Sequence, residues 1–121
     1  MQKEFCPYEE ALALKELGFD EPCFGYYVET KKWIPASYSQ KETIYPSNSD
    51  LMKEWVSAPT FSQAFKFFRE KYDLDVISKP HIGKTKKYIC DPVNIRLEAK
   101  NTYEEAELAC LKKLIEIVKN K

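Results

Sequence analysis

Apolar residues recur at three- and four-residue spacing near the end of the chain. Tyr103, Ala106, Cys110, Leu111, Leu114, Ile117 and Val118 fall on one helical face, and Leu108 and Ile115 widen it. Thr102 and Glu105 form a capping box at its start. Glu104, Glu105 and Glu107 sit at the positive end of the helix dipole. Lys112, Lys113 and Lys119 lie toward the negative end. A second helix is predicted after Pro59. Thr60 and Gln63 repeat the capping pattern, and Phe61, Ala64, Phe65, Phe68 and Tyr72 mark the buried face, with Phe67 off it. Between these helices, residues 93–100 alternate apolar and polar, the period of a half-buried strand. Shorter strands are predicted at 74–77 and 87–90, with Pro80 and Gly83 in the turn between them and Asp91 and Pro92 in the next.

The N-terminal half reads differently. Pro7 suits the first turn of a helix that continues to Leu17, with Ala11, Leu14 and one side of Leu17 inward. Gly18 is placed for a left-handed cap, with Phe19 folded back onto Leu14. Residues 24–28 read as a strand, 29–32 as a turn, and Trp33 with Ile34 as a return strand. From Pro35 to Asp50 the pattern decays into a long loop, in which Thr43, Ile44 and Tyr45 alone resemble a strand. Leu51 to Val56 fits either a helical turn or a strand. The expectation is one α+β domain over residues 1–121. Its antiparallel sheet is packed by about three helices, and an α-β-β-β-α unit fills the C-terminal half from residue 59.

Composition narrows the function classes. Nineteen basic and nineteen acidic residues cancel, which opposes a general affinity for nucleic acid or membrane. No apolar run approaches the roughly 20 residues that span a bilayer, and the N-terminus has no signal core. A cytoplasmic protein is expected, with Cys6, Cys23, Cys90 and Cys110 as thiols in structural positions.

Catalytic machinery is sparse. His81 is the single histidine, and no serine or cysteine nucleophile is visibly paired with it. The acidic pairs Glu9/Glu10 and Glu104/Glu105 are accounted for by helix dipoles. Gly18, Gly25 and Gly83 are scattered, so no phosphate loop forms. The cysteines lack the close pairing of a zinc site. The expectation is therefore a non-enzymatic protein without metal or cofactor.

Two binding patterns remain. Tyr26, Tyr27, Trp33, Tyr38, Tyr45 and Trp55 exceed what a small N-terminal half needs for its core. Trp and Tyr are enriched at binding hot spots. Trp33, Tyr38, Tyr45 and Trp55 are the candidate contacts to another protein, the leading reading. The alternative is RNA or DNA binding through Lys79, His81, Lys84, Lys86 and Lys87, a basic cluster uninterrupted by acids.

Helix, three strands, helix over residues 60–119 resembles the double-stranded-RNA-binding domain, and Lys79, Pro80 and His81 resemble its minor-groove loop. That family opens its second helix with lysines. Here residues 101–107 are acidic, which would repel phosphates. Three further blocks, residues 11–26, 58–72 and 103–115, resemble an uncharacterised family of small proteins from phage-like and mobile regions of gut anaerobic bacteria. That resemblance implies a bacterial cytoplasm or an infected cell, and an accessory role.

Overall fold

The structure is a computed structural model and describes residues 4–36, 45–82, 87–92 and 95–120. It is an α+β fold of three helices and two small antiparallel sheets. The contacts divide it into two compact units, Met1–Thr60 and Phe61–Lys121.

In the first unit, α1 spans Tyr8–Glu16, and Pro7 precedes it as an extended N-cap. The helix ends as its sequence predicts. Gly18 has φ 99°. Its N–H donates to Lys15 O at 3.0 Å, and the Phe19 N–H donates to Leu14 O at 2.9 Å. Those two bonds define a Schellman cap. The strands β1 (Gly25–Tyr27), β2 (Trp33–Pro35) and β3 (Val56–Ser57) follow, in the spatial order β2-β1-β3. The β1–β2 turn closes with Lys31 at φ 68°, where its N–H donates to Val28 O at 2.8 Å.

Register sorts the side chains of this sheet. Tyr27 lies opposite both Trp33 and Val56, and Tyr26 lies opposite both Ile34 and Ser57. Opposed residues share a face, so the two rows point to opposite sides. The Tyr27 row joins Phe5, Ala11 and Ala58 in the core, with Tyr8, Leu12 and Trp33 packed against it. Trp33 lies flat over Gly25, where an added Cβ would stand 2.6 Å from the indole. Only a residue without a side chain permits that approach.

The segment before β3 is ordered by polar contacts rather than by pattern. Ser47 and Asp50 form a capping box on the short 3-10 turn Asn48–Asp50. Asn48 Nδ2 donates to Phe19 O at 2.7 Å, and its Oδ1 accepts from the Ser57 N–H at 2.8 Å. One amide thus joins the end of α1 to β3. Within residues 51–56 the strand reading holds at Val56. Thr43 and Ile44 lie outside the described residues, and Tyr45 belongs to no strand.

In the second unit, α2 spans Phe61–Tyr72 and α3 spans Tyr103–Lys119. Thr102 Oγ1 accepts from the Glu105 N–H at 3.1 Å, the expected cap. The strands β4 (Val76–Ile82) and β5 (Lys87–Pro92) form an antiparallel pair, and α3 packs on β5. The buried side of α3 holds Ala106, Cys110, Leu111, Leu114 and Ile115, while Ile117 and Val118 are half-buried and Tyr103 is exposed. On α2, Phe67 is buried, contrary to its expected place off the face. Its ring meets Phe68 at 5.5 Å and Tyr72 at 5.8 Å, both edge-on, so the aromatic stripe is broader than the spacing implied.

Two further expectations change. Pro80 lies inside β4, not in the turn. Lys79 pairs with Ile89 and Ile82 with Lys87, so β4 holds one extra residue over this stretch. That is a β-bulge, a position that tolerates a residue unable to donate a ladder hydrogen bond. The predicted strand over 93–100 contracts to one antiparallel bridge between Tyr88 and Lys100 among its described residues. Leu97 donates its N–H to Asp91 Oδ1 at 3.1 Å, and Ile95 to Pro92 O at 3.1 Å. Those donors are spent on the turn, so no ladder propagates. The period of two survives in exposure alone: Ile95, Leu97 and Ala99 are half-buried, Arg96 and Glu98 exposed.

Candidate interaction surface

Further aromatic rings lie around the Tyr26 side of the first sheet. Phe24 lies in the bend that immediately precedes β1, two residues before Tyr26. Phe24 meets Tyr45 edge-on, with ring centroids 5.2 Å apart. Both remain open to solvent, at 55% and 44% exposure. Tyr26 stacks on Trp55, with centroids 5.3 Å apart and planes 16° from parallel.

Trp55 is fixed from several directions. Its Nε1 donates to Glu29 Oε2 at 2.6 Å. Lys15 Nζ donates to Trp55 O at 2.8 Å and to Lys53 O at 2.6 Å. The Trp55 N–H reaches Met52 O at 2.9 Å. A ring held at its polar edge and at its own backbone loses little freedom when a partner lands on it. Met52, at the start of this turn, is itself 58% exposed.

The expected protein-contact residues are thus divided. Tyr45 and Trp55 each take part in a ring pair that includes a β1-side aromatic. Trp33 points the other way, 5.1 Å from Phe5, and contributes to the core. Its indole Nε1 is buried without a hydrogen-bond partner. Tyr38 lies outside the described residues. Sequence reasoning passed over Phe24 and Met52 as contact residues. Phe24 was legible only as one more aromatic two residues before Tyr26. Nothing in the local pattern marked Met52.

Charge around this unit is shaped by hydrogen bonds and burial. Asp20 Oδ1 accepts from the Ser49 N–H at 2.7 Å, which holds the Asp20 pKa below the usual carboxylate value. Burial pushes the Tyr27 phenol up to about 12, helped by the nearby Cys6 thiol and Glu10. Its hydroxyl donates to Cys6 O at 2.7 Å. Burial likewise raises Cys23 to about 12. These two groups are structural donors at neutral pH, not nucleophiles.

The lysine cluster of the second unit is only partly placed. Lys79 and His81 lie along β4, His81 within its bulged stretch. Lys84 and Lys86 lie outside the described residues. Lys87 opens β5, half-buried and opposite Ile82. A groove of about 330 Å³ runs beside α3, lined by Lys100, Glu105, Leu108, Ala109 and Lys112. No group of three or more His, Cys, Asp or Glu among the described residues is arranged to hold a metal ion. No helix among them is long and apolar enough to cross a membrane.

No family model matches the chain, and no match is found among curated proteins or solved structures.

Proposed function

We propose that this protein is a non-enzymatic accessory module that binds another protein through the outer face of its N-terminal sheet. One observation carries the reading: Phe24 and Tyr45, both solvent-exposed, are held in edge-to-face contact. Scattered exposed apolar residues are ordinary, but rings that touch one another form a patch. The Tyr26–Trp55 stack supplies rigid, amphipathic rings of the kind that anchor interfaces.

Nucleic-acid binding through Lys79, His81, Lys84, Lys86 and Lys87 has less support. Lys87 is half-buried, and exposed Glu104 and Glu105 open α3 with negative charge.

The test compares the native protein with a Phe24→Ser/Tyr45→Ser double variant, each used to capture partners from a lysate of the native host. Chemical cross-links then map the contact. The expected result is a partner cross-linked near residues 24, 45 and 55, and lost in the variant while its circular dichroism is unchanged. Equal capture by both proteins, or cross-links confined to the lysine-rich hairpin, would overturn the reading.

A further inference from the structure

Cys90 and Cys110 meet where β5 packs on α3. Alternation puts Tyr88 and Cys90 on the same side of β5, and helical spacing puts Tyr103, Ala106 and Cys110 on one face of α3. The Tyr88 and Tyr103 rings meet edge-on with centroids 6.0 Å apart, which pins one end of this contact. Two residues along the strand and two turns along the helix, Cys90 is 2% exposed and Cys110 is 0% exposed. The two thiols are neighbours, close enough that each perturbs the pKa of the other. The other two thiols behave differently, since Cys6 donates to Thr60 O at 3.9 Å and Cys23 to Glu21 O at 3.3 Å.

We infer that Cys90 and Cys110 form a disulfide that ties β5 to α3 when the protein meets a peroxide. All four cysteines are free thiols in this structure, so the state described is the reduced one. The bond suits its surroundings. A disulfide is neutral, whereas a thiolate here is buried near the carboxylates of Asp91 and Glu107. Their closeness also orders the chemistry. Interaction with the Cys110 side chain lowers the Cys90 pKa, while interaction with Cys90, together with burial, raises that of Cys110. Cys90 is therefore the attacking thiolate. It takes one oxygen from hydrogen peroxide, giving a sulfenic acid and hydroxide, and the hydroxide takes up the proton Cys90 released. The Cys110 sulfur then displaces the sulfenic oxygen. The S–S bond forms, the S–O bond breaks, and water leaves with the Cys110 proton. In sum, two thiols and one peroxide give one disulfide and two waters.

The experiment treats the folded protein with hydrogen peroxide below its melting temperature, then maps tryptic peptides under non-reducing conditions. The expected product is a Cys90–Cys110 linked peptide, reversed by dithiothreitol, with a rise in melting temperature of about 5 °C or more. In Cys110→Ser, oxidation stops at a Cys90 sulfenic acid, detectable with a 1,3-diketone probe. In Cys90→Ser, labelling at Cys110 is expected to fall at least tenfold. Should either variant fail to fold, the mapping of the native protein still decides. Failure to form the link at conditions that oxidise other residues overturns the inference. So does a dominant link to Cys6, Cys23 or a second molecule.

Discussion

The two units reach order by different physics. The first relies on side chains that reach distant backbone: Tyr27 to Cys6, Asn48 to Phe19 and Ser57, and Lys15 to Lys53 and Trp55. Its helix is short and its strands are two or three residues long. The second relies on continuous apolar stripes, with twelve-residue α2 and seventeen-residue α3 set among phenylalanines and a hairpin. Burying a stripe is non-directional and tolerates small shifts, whereas a polar staple either meets its partner or leaves a buried group unpaired. The first unit can therefore hold rings on its outward face, because its order does not depend on turning every ring inward.

The largest expected effect breaks the stripe of the second unit. Phe68→Ala removes a fully buried ring among Phe67 and Tyr72. It should cost about 3–5 kcal/mol, measured by chemical denaturation. A loss below about 1 kcal/mol would show that the stripe is not what orders α2.

Next in size is the polar staple of the first unit. Asn48→Ala removes both amide bonds and leaves the Ser57 N–H without its acceptor. A cost of about 2–3 kcal/mol is expected. Asn48→Asp keeps the acceptor and loses the donor, so it should fall between the two. An alanine variant as stable as the native protein would erase the contrast between the units.

Glu107 gives a smaller, pH-dependent effect. Burial, then the charge of Glu104, pushes its carboxyl up to about 7 from an ordinary 4.5. The folded state therefore holds this proton more tightly than the unfolded chain. Stability from this group is present below the unfolded pKa and is lost as pH rises through the window between the two values. Glu107→Gln should raise the melting temperature at pH 8 and change it little at pH 4. An equal shift at both values would show that titration plays no part.

The smallest effect concerns an unpaired hydroxyl. Ser57 Oγ is fully buried without a hydrogen-bond partner, although the residue's N–H is satisfied by Asn48. Ser57→Ala should be neutral or stabilising by up to about 1 kcal/mol in thermal melts. A clear loss would mean that the hydroxyl is bonded in solution.

Much of the α+β architecture was legible where the physics is local. Thr102 and Glu105, the Gly18 cap and the stripe of α3 each predicted an observed feature, because capping and helical burial act between residues a few positions apart. The strand over 93–100 shows the opposite. Its alternation was clean, but a ladder needs free donors on both sides, and those of Ile95 and Leu97 go to Pro92 and Asp91. Pro80 was read as a turn former because its missing N–H forbids a regular ladder. The bulge in β4 supplies another place where that loss is harmless.

The candidate surface was less legible than the fold. Aromatic richness in the N-terminal half pointed to rings, yet Trp33 and Trp55 are alike in composition and opposite in fate. Trp33 lies in register with Tyr27, beneath which Gly25 leaves room for an indole. Trp55 lies just before β3, stacked on Tyr26 of the opposite row with its indole N–H held by Glu29. The sequence by itself determined which segments coil, where they stop and which sides are oily, because those depend on neighbours in the chain. Only the tertiary structure decided which rings face outward and which thiols meet, because both depend on strand register and on packing between residues far apart in sequence.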